Sequence, residues 1–484
     1  MKNLQTKWRQ LLAGSRQALT TRTARVGGYS FLLGLIVLAI LVAVNVLAGA
    51  LPSRFTQFDI SAAQLYSLTS DTKVVATNLD EDVTIYWITQ AGKEDTVIQK
   101  LLDRYSDLTD HITVVKKDPD TYPTFAKQYT DETVQNNSLV VECGSKSRYI
   151  GYDSIYNTDM SAYYSTGSVS RSFDGEGQIT SAIDYVTTET LPQVYLLSGH
   201  GEAALSDAFS SQLERANYET VSDFSLLNVD AVPEDCSALI INAPTSDISD
   251  EELSLLRSYI SGGGKVLVFS GPQQNGMLTN LTALLSDYGV SAAEGIVVDP
   301  DREHYAFTEP YVLMPDIGES DITAPLTEGA YHVIVPIAAG LTLNEGSTAT
   351  ALLTTSDSAF SKLSGYSMTS YDREDGDPAG PFTLAVSAES AQGGKLVWVA
   401  SDYLLDDLYN SYSSGANMDL AMNSLSWMIG QADSVSIRSK SLNSTYLTIS
   451  SSSAAWLKVC MIGIVPLAFL LLGIDEVIRR RKMV

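Results

Sequence analysis

Cysteine is scarce. Cys143, Cys236 and Cys460 are the only three in 484 residues, and none stands at CxxC spacing or at a recognised Cys/His metal interval. This excludes a dithiol redox motif and the familiar zinc patterns. Cys460 falls in an apolar run, and the other two are far apart in sequence, so buried free thiols are expected there and not a disulfide. Histidine is nearly as rare, at His111, His200, His304 and His332. A GxxxxGK[ST] phosphate loop is missing, so the chain is not expected to hydrolyse ATP itself. A GxSxG elbow is missing too, so no nucleophile is placed by motif. Positive charge is sparse away from the termini. Setting aside six basic residues in 1–27, Arg479–Lys482, Asp475 and Glu476 leaves 21 basic against 55 acidic side chains. Such a surface repels nucleic acid and anionic headgroups. Neither a nucleic-acid partner nor a cofactor is expected.

What is abundant is apolar sequence in two concentrated runs. Residues 28–51 contain Tyr29–Leu51, which carries no charge, and 454–474 contain only Lys458 as a charged member. Each is long enough to span a bilayer. Lys458 can snorkel to the interface beside Trp456. The basic tail 1–27 and the basic tail 475–484 should stay cytoplasmic, placing the bulk of the chain outside the cell membrane. Ala48-Gly49-Ala50 resembles a signal-peptidase site, but the preceding run exceeds the usual signal length, which favours a retained anchor. Residues 1–27 read equally as a basic amphipathic helix, with Leu4, Trp8, Leu11 and Leu19 near one face, or as a flank that only sets topology.

Residues 54–155 read as a small α/β domain. Val83–Ile88 alternates as a strand, Val97, Leu101, Tyr105 and Leu108 fall at helical spacing, and Ile112–Val115 gives a second strand. A helix near Tyr122–Tyr129 and a hairpin of Ser138–Cys143 with Ser147–Gly151 follow. With the turn Asp118-Pro119-Asp120, this order resembles a thioredoxin-like fold. No cysteine stands at Thr89–Gly92, where the first strand ends, so redox chemistry is excluded. Residues 156–190 read as a linker and a helix from about Gly175 to Thr188.

Residues 191–435 read as a flavodoxin-like parallel α/β domain. Strands at Val194–Leu197, Thr220–Phe224, Ala238–Asn242 and Lys265–Phe269 alternate with helices, which implies βαβ units. Ser249-Asp-Glu-Glu252 is a capping box opening one helix, and Gly262-Gly263-Gly264 ends it. Further strand-like pieces are His332–Ile337, Ala349–Thr354, Phe382–Ala388 and Lys395–Ala400, followed by a helix over Asn417–Ile429. Asp372–Asp377 lacks the spacing of a calcium loop and reads as a solvated turn. Residues 436–453 form a Ser-rich spacer.

The ligand edge of such a sheet lies beyond the strand C-termini, where strand order reverses. The candidate cleft there comprises Ser198, Gly199, His200, Gly201, Glu202, Thr245, Ser270 and Asp402. His200 and Glu202 could act as an acid/base pair, and with Asp402 they could supply metal ligands, but no recognised ligand spacing is present. Ser198 is more simply a turn former. Binding or structural duty is expected of this edge, with no catalytic residue and no metal.

Tyr66-Ser67-Leu68-Thr69, Asp118-Pro119-Asp120, Ser198–Glu202, Ala243-Pro244-Thr245, Gly262–Lys265, Ser401-Asp402 and Asn417-Met-Asp419 occur in order between the two apolar runs. In this the chain resembles the GldG-like auxiliary components of ABC-type transport systems, the gliding-motility-associated family. The resemblance implies a membrane-anchored extracytoplasmic subunit beside an ABC permease and a cytoplasmic ABC ATPase. It also implies an amidotransferase-like fold of the kind found in an intraflagellar-transport protein. Catalytic members of that fold carry a cysteine on a strand-to-helix elbow. Here the strand ends read Gly199-His200-Gly201, Ala243-Pro244-Thr245 and Ser270-Gly271-Pro272, so amidotransferase chemistry does not carry over. The alternative is an extracytoplasmic hydrolase acting on an envelope amide or ester at His200.

Overall fold

A computed structural model describes residues 33–46, 65–159, 170–274, 276–430, 437 and 439–442. The second apolar segment and both basic tails lie outside the described residues. Residues 33–46 are helical and expose their apolar side chains. Among the described residues no helix is long and apolar enough to cross a membrane. The described residues up to Asn157 and from Phe173 to Lys440 belong to one compact unit, and the remaining few to a second. In that second unit the Leu442 amide donates to the Arg171 carbonyl at 2.8 Å.

The first part of the large unit is a four-stranded sheet. Helix α1 (Ser70–Thr77) precedes β1 (Val83–Ile88), α2 (Thr96–Ser106), β2 (Ile112–Lys117), and the hairpin β3 (Ser138–Cys143) and β4 (Lys146–Ile150). The order is β2-β1-β3-β4, parallel between β1 and β2 and antiparallel elsewhere. Asp95 caps α2, accepting from the amides of Val97 and Ile98, and Leu101, Leu102 and Tyr105 bury the helix face. The helix expected at Tyr122–Tyr129 shrinks to one 3-10 turn, Ala126–Gln128. The helix expected at Gly175–Thr188 is α3 (Gly175–Thr187), and it packs on β3 and β4. Its buried Glu176 accepts from the Thr69 amide at 2.6 Å, the Thr69 hydroxyl at 2.9 Å and the Thr72 hydroxyl at 2.8 Å. Lys440 Nζ joins the same carboxylate at 2.8 Å and reaches the Ser67 carbonyl at 2.6 Å.

The second part is a ten-stranded sheet. Its first half is β5 (Gln193–Leu197), α4 (Asp207–Arg215), β6 (Glu219–Phe224), β7 (Cys236–Asn242), α5 (Asp250–Ser261), β8 (Lys265–Phe269) and α6 (Thr279–Ser286). The second half comprises β9 (Val290–Ala292), β10 (Asp316–Ile317), β11 (Leu341–Leu343), β12 (Thr350–Thr354), β13 (Thr383–Glu389), β14 (Lys395–Val399) and the helix α7 (Ala416–Ile429). The path is β9-β11-β13-β14-β8-β7-β5-β6, with β12 also on β13 and β10 on β12. Strands β14, β8, β7, β5 and β6 run parallel.

The expectation of a wholly parallel sheet fails beyond β14. Only Ser390–Gly394 connects β13 to β14, too short for a helical crossover, so the pair closes as an antiparallel hairpin. The strand expected at His332–Ile337 is likewise only Val335–Pro336.

Burial explains the unbroken apolar runs. Val194, Ala238, Ile240, Leu267, Phe269, Val397 and Val399 face one core with Phe209 and Leu213 of α4 and Leu420 and Leu425 of α7. Their neighbours Tyr195, Leu239, Ile241, Val266, Val268, Leu396 and Trp398 face the other, with Leu256 of α5 and Leu284 of α6. A strand buried on both faces has no polar side to show.

Candidate functional site

In the parallel half the chain order reverses between β5 and β7, which is the position at which open α/β sheets form their ligand crevice. The loop after β5 carries Ser198 to Glu202. Ser198 donates its amide to the Phe224 carbonyl at 2.7 Å, and its hydroxyl points to the same oxygen at 3.4 Å. Gly199 and Gly201 both have positive φ, at 124° and 76°. Gly201 also lies so close to the Thr245 side chain that a Cβ would collide with its hydroxyl. The Thr245 and Ser246 amides both donate to the His200 carbonyl at 2.9 Å. Ser198, His200, Gly201, Glu202 and Thr245 are therefore brought together as one knot spanning the ends of β5 and β7.

The histidine itself does not open into a cleft. It is 5% exposed. Its Nδ1 stands 3.2 Å from Glu202 Oε1 and its Nε2 3.1 Å from Glu252 Oε2. Glu202 also accepts from the His200 amide at 2.8 Å. Glu252 is the fourth member of the capping box, accepting from the Ser249 amide at 2.8 Å. One carboxylate thus caps α5 and holds the histidine, while its other oxygen, Oε1, is buried without a partner. Both ring nitrogens are thus engaged by carboxylates. Sequence reasoning found the capping box but missed this second partner, 52 positions from His200. The two carboxylates with His200 do not form a metal-holding group, and no such group exists among the described residues.

Ser270 and Asp402 occupy the same C-terminal edge at the ends of β8 and β14. The Ser270 amide donates to the Val399 carbonyl at 3.0 Å. Asp402 accepts from the Gly271 amide at 2.7 Å and Gln273 Nε2 at 3.4 Å. Burial raises the Asp402 carboxyl above the usual range, against the lowering effect of those two donors. A cavity of about 420 Å³ opens here, lined by Ser270, Gln273, Glu294, Tyr366 and Trp398 among others. Of the predicted site residues, Ser270 lines it, Asp402 supports its wall through Gly271 and Gln273, and His200 belongs to the neighbouring knot.

One wall of the cavity, Leu363–Ser367, comes from the segment leading into the acidic loop Asp372–Asp377. That loop is not merely a solvated turn. It closes on the fully buried ammonium of Lys362, which donates to the Asp372 carbonyl at 2.5 Å and pairs with Glu374 at 3.0 Å and Asp377 at 3.7 Å. Burial would raise the Asp377 carboxyl, but the amides of Glu374 and Leu363 and the Lys362 charge hold it below its usual range. A lysine cation thus sits among the oxygens that a sequence scan compares with a calcium loop.

Residues 62–156 match a domain of unknown function (DUF7088), and residues 191–424 match the family described as "ABC-type uncharacterized transport system". No curated protein matches the chain. Among solved structures, the mmIFT52 N-terminal domain is similar at 17% identity, covering 49% of this chain and 97% of its own, with a TM-score of 0.37. Cytoplasmic Protein STM3548 from Salmonella typhimurium is similar at 12% identity, covering 49% and 98%, with a TM-score of 0.28. PurLQS from Thermotoga maritima is similar at 10% identity, covering 49% and 100%, with a TM-score of 0.25. At such identities and TM-scores these likenesses carry no argument about function. The family match concerns the part of the chain that holds the ten-stranded sheet: residues 191–424 are similar to the auxiliary domain of an ABC-type uncharacterized transport system.

Proposed function

We propose that this chain is a non-catalytic, membrane-anchored extracytoplasmic accessory subunit, GldG-like, of an ABC-type transporter. It serves as scaffold or ligand-binding module beside a permease and a cytoplasmic ATPase. In this reading 54–155 is a thioredoxin-like unit without redox chemistry, 28–51 and 454–474 are membrane spans, and both termini are cytoplasmic. One observation supports it most. Lys440 joins Glu176 and the Ser67 carbonyl, so the residues just before α1 and the last residue of the large unit meet at one point. Ser67 lies 16 positions beyond Leu51, and Lys440 lies 14 positions before Ala454. Ends that meet at one point suit a body held at both ends over one membrane.

The hydrolase reading finds less support, because His200 is buried and both its ring nitrogens face carboxylates. The test is biochemical. Reporter fusions after Lys116 and at the C-terminus should give opposite topology signals, and full-length protein should co-purify with an ABC permease from membranes. Equal signals, or ester or amide turnover abolished by His200→Ala, would overturn the reading.

A further inference from the structure

The cavity beside Ser270 has a definite chemical character. Its lining is mixed: Leu278, Leu341 and the almost fully buried Trp398 stand beside Ser270, Gln273 and Thr282. Its lip exposes three large apolar side chains: Met277 at 39%, Leu363 at 48% and Tyr366 at 39%. Exposed apolar groups gathered around a concavity mark a binding site more often than scattered ones do, and Met adapts its shape to different occupants. The volume of about 420 Å³ is in the range of small-molecule pockets.

The charge content is one-sided. Among the described residues no lysine or arginine lines the cavity, and Glu294 is the one charged residue that does. The Glu294 side chain is exposed at the mouth. A second carboxylate, Asp402, stands directly behind the wall, bonded to the Gly271 amide and to Gln273, both lining residues. Both of these donors are neutral amide groups. Tyr366 spans the mouth, its hydroxyl donating to the Pro272 carbonyl at 3.1 Å, and burial with the Tyr403 and Asp402 charges pushes that phenol up to about 12.

We propose that this cavity binds an amphipathic cation: a small molecule or peptide end with an ammonium group held near Glu294 and Asp402 and an apolar body against Trp398, Leu341 and the Met277–Leu363 lip. An anion is repelled by both carboxylates and by the net charge of −26. The Tyr366 arm, stapled at its base by buried Lys362, closes over the occupant. This deepens the ligand-binding part of the proposed function but stands on the cavity alone, so failure of permease co-purification leaves it intact.

The experiment uses full-length protein in nanodiscs and three near-isosteric probes: phenylalaninamide (cationic), N-acetylphenylalaninamide (neutral) and N-acetylphenylalanine (anionic). Binding is read by calorimetry and tryptophan emission. Phenylalaninamide should bind about tenfold more tightly than the neutral probe, the size of effect that one nearby charge at intermediate dielectric supplies, and the anion should not bind. Glu294→Gln should erase most of the preference for the cation and leave neutral binding unchanged. Leu363→Lys, at an exposed lip position, should weaken the cation about tenfold more than it weakens the neutral probe. Ala293→Trp, which fills the cavity, should abolish all binding. Equal binding of the anion, a preference untouched by both Glu294→Gln and Leu363→Lys, or binding by none of the three probes would overturn the proposal.

Discussion

Arg215 Nη2 lies 2.5 Å from Asp174 Oδ2, so the last turn of α4 on the large sheet is pinned to the residue that opens α3 on the small one. Around this contact Arg148 donates to Asn217 at 2.6 Å and to Ser181 at 3.1 Å, and Asn217 Nδ2 donates to Asp184 at 2.6 Å. Asn217 holds φ at 59°, a left-handed conformation that asparagine tolerates better than most residues. The other oxygen of Asp174 is buried without a partner.

Arg215→Ala should therefore cost about 3 kcal/mol, because it leaves a carboxylate buried without its cation. Burial already raises the Asp174 carboxyl, opposed by Arg215 and Gln178, and loss of Arg215 removes part of that opposition. A carboxyl whose folded value is raised destabilises the native state once ionised, so the deficit is relieved as pH falls through the folded value. The gap between variant and wild type should narrow from pH 7 towards pH 5 in urea titrations. A constant gap would remove Asp174 from the explanation.

Lys362→Met should free the Asp372–Asp377 loop. The substitution keeps the apolar stem but leaves Asp377, 5% exposed, without its buried cation. A loss of about 3 kcal/mol is expected, with faster amide exchange for residues 363–377 than for the strands of the large sheet. Calcium should not restore protection, since the lysine is part of the loop's construction and not a substitute for a missing ion.

His200→Ala should act on stability and not on chemistry. It leaves Glu202 and Glu252 buried with no ring between them, at a cost of about 3 kcal/mol. The α5 cap survives, because the Ser249 amide still meets Glu252. Thermal unfolding should drop while permease co-purification persists at temperatures where the variant is folded.

The two described thiols should be inert. Burial, with the neighbouring Glu81 carboxylate, pushes Cys143 up to about 11, and burial raises Cys236 against the lowering effect of Tyr259. Native protein at pH 8 should leave both unlabelled by iodoacetamide, and denaturation should expose both. Labelling of either in the native state would show that its wall opens.

The strands of the parallel half, the capping box at Ser249–Glu252 and the short βαβ unit near the start were legible because they rest on local signals: apolar runs, side-chain periodicity and caps a few residues apart. The elbow at Gly199–Gly201 was legible for the same reason, since two glycines flanking one residue announce a tight turn. In the antiparallel half only the longer strands, Thr350–Thr354 and Thr383–Glu389, were legible. Val290–Ala292, Asp316–Ile317 and Leu341–Leu343 are two or three residues long and owe their existence to partners far away in sequence.

The sequence by itself determined that strands of Val, Ile and Leu must be covered on both faces, that no phosphate loop or elbow nucleophile is available, and that the chain between the apolar runs is acidic. Only tertiary structure decided where the charges go. His200 looks like a free base until Glu252 arrives from another helix. The acidic turn looks solvated until Lys362 is buried inside it, and Glu176 is an ordinary first-turn acid until Thr69, Thr72 and Lys440 converge on it. The physical reason is common to all three. Backbone preference and apolar patterning act over a few residues, whereas a buried charge is stable only with a partner, and that partner is chosen by the packing of the whole fold.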